Sequence, residues 1–208
     1  MNKSLIRAVS AAASLAALGV PMLANAESNV QTGSGALTAT ARLDFRVTVP
    51  KVLFLQVGTG TSLGTNSTVN LIDFTVPAAN VGDGTAIGAT VASGDLGSGT
   101  VTAKVLGNNG NVTLTSTTIG ALGNGLGDTL SYAQIATTPA VLTSATPLAA
   151  PALADGATTS TTVPAVGKIV NRDAKWTFSF LNTALVAPGV YGGVNANNSR
   201  VTYTASMP

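Results

Sequence analysis

Thirteen consecutive residues, Leu37–Val49, alternate between apolar and polar side chains without interruption. Successive side chains of a β-strand point to opposite faces, so this pattern predicts a strand with one buried face and one solvent face. The same alternation returns over Arg200–Met207 and over Lys175–Leu181, where Trp176, Phe178 and Phe180 are expected to face inward. After residue 26, no segment carries apolar residues at helical spacing. The sequence therefore predicts an all-β protein.

Shorter patterns predict the strands between these segments. The continuous apolar run Val52–Leu55 predicts a strand buried on both faces, and the residues 69–76 predict another strand. Apolar positions on both sides of the Gly107–Gly110 turn predict a β-hairpin. The Pro- and Ala-rich residues 136–166 predict a long surface excursion that holds at most one short strand. Roughly eight to ten strands with frequent turns favour a single β-sandwich, either immunoglobulin-like or of the jelly-roll type.

The first 26 residues have the three parts of a secretory signal. Two positive charges precede an apolar run, and the small residues Ala24 and Ala26 suit cleavage by signal peptidase. The apolar run is shorter than the ~20 residues that span a bilayer as a helix. We therefore expect a cleaved signal peptide at 1–26, a flexible N-terminal tail at 27–35, and one sandwich domain at 36–208 without a membrane span. The predicted location is extracellular or at the cell surface, with the periplasm as the alternative.

The charge balance argues against a polyanionic partner. Lys3 and Arg7 account for the whole positive excess, and residues 27–208 carry equal numbers of basic and acidic side chains. Because binding to nucleic acid depends on a basic surface that releases counterions, we expect no nucleic-acid partner.

The residues that most enzymes use are missing. The chain has no histidine and no cysteine, which removes imidazole and thiolate chemistry from catalysis and from metal binding. Four aspartates lie beside glycine in predicted turns, where aspartate commonly binds its own backbone: Asp83, Asp95, Asp128 and Asp155. The segment Gly123–Asp128 is superficially similar to a calcium-binding nonapeptide turn, but it occurs once and has Leu126 where that motif needs glycine. We expect no catalytic residue, no metal site, no cofactor and no enzymatic activity.

The N-terminal strand pattern is the feature that points to a function. Such a strand can pair within its own domain or can fill an open groove in a neighbouring copy, as in strand addition. Both alternatives stay open. Burying its large apolar side chains would contribute roughly 10 kcal/mol before ordering costs, at about 2 kcal/mol each. The candidate assembly residues are therefore Leu37, Leu43, Phe45, Val47 and Val49.

One stretch resembles a known group of proteins. The run Pro188–Tyr191, followed by Val201–Thr204, is similar to the closing hairpin of bacterial fimbrial subunits and of spore-coat-U-like surface proteins. This resemblance implies an immunoglobulin-like sandwich and a role in surface fibres or coats, and it implies no catalytic residue. The chain departs from many fimbrial subunits because it has no cysteine for a disulfide.

These observations favour a secreted structural or adhesive subunit of a bacterial surface assembly. Its expected partners are further copies of itself or other surface proteins. The alternative is a secreted monomeric module that binds a ligand or glycan through its loops at 58–68 and 136–166.

Overall fold

The computed structural model describes residues 27–208, so the predicted signal peptide lies outside the described residues. The chain divides into two units, one ending at Val49 and the other comprising Pro50–Pro208. The sequence predicts a domain that starts at residue 36, whereas the folded unit with β-structure starts at Pro50.

The second unit confirms the predicted all-β class. It contains two short 3-10 helices, Ala78–Asn80 and Tyr132–Gln134, and the described residues contain no α-helix. No helix within residues 27–208 has the length and apolar character that a membrane crossing requires. The strands are β1 (Leu53–Val57), β2 (Ile87–Gly88), β3 (Thr100–Gly107), β4 (Val112–Thr117), β5 (Leu122–Gly123), β6 (Thr129–Leu130), β7 (Ile135–Ala140), β8 (Thr158–Val163), β9 (Val170–Phe180) and β10 (Thr202–Ser206).

Two antiparallel sheets form the sandwich. In the first sheet, β9 pairs with β3, β2 and β7, and β1 pairs with the outer side of β3. In the second sheet, β4 lies between β10 and β8. The small strands β5 and β6 form a separate ribbon.

The core lies between the two sheets and is centred on Trp176. Its side chain is fully buried, and its indole Nε1 donates a hydrogen bond of 2.7 Å to the carbonyl oxygen of Leu148. The ring of Tyr203 on β10 lies 5.4 Å from the Trp176 ring, measured between centroids. The prediction that Trp176, Phe178 and Phe180 face inward is confirmed, since all three are buried.

The predicted hairpin around Gly107–Gly110 is wrong. Strand β3 belongs to the first sheet and β4 to the second, so this turn carries the chain from one layer to the other. Each strand has one fully buried apolar row, including Val105 on β3 and Leu114 on β4, and the two rows belong to the same core. Two strands can bury their apolar rows either as neighbours in one sheet or face to face in two layers. The sequence pattern is the same in both cases.

The predicted surface excursion at 136–166, with one short strand, differs from the structure. The segment contains most of β7 and all of β8, and between them Leu148 and Pro151 are fully buried. Small residues and prolines suggested a loop, but the segment is fixed by hydrogen bonds to β9 and β4.

Three other predicted strands differ from the structure. The run that includes Val52–Leu55 forms β1 at a sheet edge instead of a strand covered on both faces. Residues 69–76 alternate between exposed and half-buried but form no strand, and Ile72 and Phe74 pack against the core. The strand that the sequence predicts to begin at Val190 and Tyr191 is not formed, since Pro188–Tyr191 lie in an irregular loop, and the partner of β10 is β4.

Candidate assembly surfaces

The N-terminal segment, residues 37–49, carries an unpartnered apolar row. The strand predicted there is not formed, because none of these residues takes part in a β-ladder. Alternation specifies which side chains share a face, but a strand also needs a neighbouring edge for its backbone groups. The five candidate assembly residues are all exposed, from 50% at Leu37 to 86% at Phe45. This segment therefore presents apolar surface that its own described unit does not cover.

The charges of this unit lie outside the apolar row. Arg42 donates two hydrogen bonds of 2.8 Å to the carboxylate of Glu27. The hydrogen bond with Arg42 lowers the pKa of Glu27, and the same bond raises the pKa of Arg42. An exposed ion pair contributes little to stability, so we regard this pair as a surface feature of the polar face.

The four turn aspartates have structural roles, as the sequence predicts. Each carboxylate accepts a hydrogen bond that helps to hold the surrounding backbone in place. Asp83 accepts from the Thr85 amide at 2.7 Å, and Asp95 accepts from the Thr102 amide at 2.9 Å. Asp128 accepts from Asn124 Nδ2 at 2.8 Å, and Asp155 accepts from the Tyr132 amide at 2.7 Å.

The calcium-like turn closes on itself. Asn124 Oδ1 accepts hydrogen bonds from the amides of Leu126 at 2.8 Å and Asp128 at 3.1 Å. Within residues 27–208, no group of three or more acidic side chains is placed to hold a metal ion. The polar atoms of this turn are thus engaged in shaping the loop.

Asp173 is a buried carboxylate that the sequence does not single out. It is only 6% exposed and accepts hydrogen bonds from the Thr143 amide at 2.9 Å, the Ser144 amide at 2.7 Å and the Thr143 hydroxyl. Burial alone raises the pKa of Asp173, but the hydrogen bonds from Thr143 and Ser144 outweigh it and lower the pKa to about 2. The carboxylate anchors the segment that follows β7.

One lateral side of the sandwich is sealed by that segment, which we call the strap (residues 143–155). The Leu148 amide donates to the carbonyl of Asp173 on β9, at 3.0 Å. Farther along, the carbonyl of Ala152 accepts from Ser116 on β4, at 2.8 Å. The strap therefore crosses from one sheet to the other and closes the gap beside β7 and β8.

On the opposite lateral side, the edge strands β1 and β10 contact each other across the layers. Among the described residues, neither shares a β-ladder with anything beyond β3 or β4, respectively. Five apolar side chains along this side pack against the core but are only half-buried: Leu55, Val57, Tyr203, Ala205 and Met207. We call this feature the β1–β10 side.

Polar contacts join the chain segments at one end of the β1–β10 side. The main-chain oxygen of Pro208 accepts from Lys51 Nζ and from Asn109 Nδ2, the latter at 2.6 Å. Asn108 Nδ2 donates to the carbonyl of Pro50, at 2.7 Å. These bonds tie the start of the folded unit and the residues after β10 to each other and to the turn between β3 and β4.

The outer face of the second sheet carries only hydroxyl side chains along its three strands. No charged or large apolar side chain interrupts this surface, and threonine pairs on neighbouring strands interact favourably. In register across β10, β4 and β8, the rows are Thr202, Thr117 and Thr158; Thr204, Thr115 and Ser160; and Ser206, Thr113 and Thr162.

Two shallow depressions lie on the folded unit. The one beside the 58–68 loop has a volume of about 90 Å³, and the one lined by Ile169 and Arg172 has about 250 Å³. Small-molecule sites usually occupy ~300–1,000 Å³ and bury most of their ligand. Neither depression therefore favours a ligand-binding function for these loops.

The comparisons with known proteins add no identification: no protein family, curated protein or solved structure matches this chain. The candidate site is thus the apolar row of residues 37–49, which the sequence also singles out. The sequence does not indicate the β1–β10 side, because the alternation of β10 does not show which edge of that strand stays unpaired.

Proposed function

We propose that the protein is an exported structural or adhesive subunit of a surface assembly, joined to its neighbours by donation of residues 37–49. The observation that carries this proposal is the exposed row of five large apolar side chains on an alternating segment without a ladder partner. In strand addition, main-chain hydrogen bonds supply affinity, and alternate side chains enter pockets on the acceptor.

The composition supports close packing between copies. Charged residues form 9% of the chain, against a usual ~25%, and residues 27–208 are balanced in charge. Such copies approach one another without strong electrostatic repulsion. The resemblance to fimbrial and spore-coat-U-like proteins supports the same kind of role, and it adds extracellular or cell-surface placement to the proposal.

The hydrogen bonds of the carboxylates also support a structural function. The turn aspartates and Asp173 hold loops and the strap in place, which supports a structural role over a catalytic one.

Val47→Asp tests the proposal against a matched control, Thr48→Asp. Each variant adds one negative charge at neighbouring positions, but only Val47 belongs to the apolar row, where it is 84% exposed. A charge buried without a partner is costly, so Val47→Asp should abolish assembly, while Thr48→Asp should assemble nearly as the unaltered protein does.

The measurement is light scattering of residues 27–208 across a concentration series, with circular dichroism to check that each variant is folded. The unaltered protein should form oligomers whose mass rises with concentration. A folded single chain at every concentration would contradict the proposal, as would equal assembly by both variants.

A further inference from the structure

We infer that the free edge of β8 is an interface at which two folded copies of this chain pair as antiparallel strands about a two-fold axis. The axis passes between Ser160 of one copy and Ser160 of the other. This inference goes beyond the proposed function, because it requires no donated segment and concerns a different part of the molecule.

The backbone groups at this edge belong to the residues of β8 whose side chains face outward. The Thr118 amide donates to the carbonyl oxygen of Ala157, at 3.2 Å, so the backbone groups of Ala157 point toward β4. In an antiparallel ladder, residues that bond to the neighbouring strand alternate with residues that do not. Thr158, Ser160 and Thr162 therefore direct their amides and carbonyls away from β4, where no described residue forms a ladder with them.

The strap lies on the inward side of β8 and leaves this edge free. The carbonyl of Ala152 accepts hydrogen bonds from the hydroxyls of Ser116 and Thr159, which face inward from β4 and β8. Among the described residues, no backbone hydrogen bond joins Thr158–Val163 to any segment other than β4. The edge is thus open to a further strand, although the core beneath it is covered.

Strand β8 also lacks the features that usually prevent an edge from pairing. Such features are charged side chains, prolines and bulges. The sequence of β8 is Thr-Thr-Ser-Thr-Thr-Val, and its register with β4 is continuous, so it has none of them. By contrast, the edge strand β7 contains Pro139, and β1 and β10 contact each other. Among the edges of the two sheets, β8 is therefore the best suited to pairing.

A second copy of β8 is the strand that fits this edge. When Ser160 lies opposite Ser160 of the other copy, Thr158 lies opposite Thr162, and each opposed pair exchanges two main-chain hydrogen bonds. A shifted register leaves at least one of these three residues without an opposed partner in β8. Cross-strand threonine pairs contribute favourably, and β8 has no charge that could meet a like charge. The edge is therefore complementary to itself, as a two-fold contact requires.

This pairing joins the hydroxyl faces of the two copies into one surface. The row Thr204, Thr115 and Ser160 continues into the same row of the second copy, in reverse order. The contact has no apolar row, so a single pair is weak. Weak contacts gain strength when several copies are linked, and the β8 edge therefore suits side-by-side association of larger assemblies.

Disulfide trapping detects such a weak pair, because the chain has no cysteine of its own. Opposed residues of a hydrogen-bonded antiparallel pair have Cα atoms about 5.5 Å apart, a separation that a disulfide bridges. Ser160→Cys should therefore give a covalent dimer after mild oxidation of residues 27–208. The matched control is Ser206→Cys, which places the same exposed thiol on the opposite edge strand of the sheet. All variants also carry Val47→Asp, which removes the proposed donation.

A second set of variants tests the register and the backbone bonds. Thr158→Cys and Thr162→Cys should cross-link when both are present in each copy, and neither should do so alone. Into this double variant we would introduce Ser160→Pro, which removes an amide that β4 does not use but the second copy needs. The control is Ser160→Ala, which keeps that amide. Circular dichroism checks that each variant is folded.

The expected result is a covalent dimer with Ser160→Cys but not with Ser206→Cys, together with loss of the double-variant dimer on Ser160→Pro alone. Equal cross-linking by Ser160→Cys and Ser206→Cys would overturn the interface, as would a folded Ser160→Pro variant that cross-links like Ser160→Ala. Cross-linking by Thr158→Cys alone, without cross-linking by Ser160→Cys, would overturn the register. If Ser160→Pro does not fold, the comparison of Ser160→Cys with Ser206→Cys decides. Because every variant carries Val47→Asp, these outcomes are independent of whether residues 37–49 are donated.

Discussion

Asp173 shows how a residue that suggests chemistry serves structure instead. Its carboxylate is buried and receives two backbone amides and one hydroxyl from the start of the strap. A carboxylate that accepts several hydrogen bonds is stabilised in its charged form, which is why its pKa lies near 2. The same bonds fix the strap beside β9.

We predict that Asp173 makes the stability of the folded unit sensitive to acid. Its folded pKa of about 2 lies below the ordinary value of 3.8, so its contribution is complete above about pH 4. This contribution is lost as the pH falls from about 4 through 2. Asp173→Asn should lower the free energy of unfolding by about 1–3 kcal/mol at pH 6, because charge-assisted bonds are lost. Urea unfolding at pH 6 and at pH 2.5 should show this difference shrink, and a constant difference would contradict the assignment.

At the scale of elements, the strap covers one side of the core although it forms no β-strand. It crosses between the sheets, places Leu148 in the core, and supplies the carbonyl that receives the Trp176 indole. The gap beside β7 and β8 is thereby closed, whereas on the opposite side β1 and β10 contact each other directly.

Leu148→Ala tests whether the strap belongs to the core. Because Leu148 is 1% exposed, its truncation should lower the free energy of unfolding by about 2–5 kcal/mol. The control is the same substitution at Leu126, which is 84% exposed and should change stability by less than about 0.5 kcal/mol. Equal effects of the two substitutions in urea unfolding would show that the strap is peripheral.

The sequence predicts elements well where a long alternating row meets a neighbouring edge. Strands β9 and β10 follow their patterns, and so does the inward face around Trp176. Residues 37–49 have an equally clear pattern but no ladder, because alternation encodes faces and not partners. The prediction for the strap was wrong for the opposite reason. Its prolines and small residues suggested a surface loop, whereas contacts with Asp173 and Ser116, which are distant in the sequence, determine its path.

At the scale of the whole molecule, the sequence shows the proposed donor as one continuous segment, residues 37–49. The contact between β1 and β10 could not be predicted, because these strands are far apart in the chain and meet where β3 and β4 belong to different sheets. The predicted hairpin at Gly107–Gly110 places β3 and β4 in one sheet, so the correction of that turn explains the contact.

The most direct test of donation by residues 37–49 is hydrogen exchange on unaltered residues 27–208, measured at concentrations below and above assembly. The amides of this segment have no ladder partner in the single chain and should exchange within seconds there. In the assembled protein we predict protection across residues 37–49. Rapid exchange of the segment in assembled samples would contradict the account, and so would full protection in the dilute single chain.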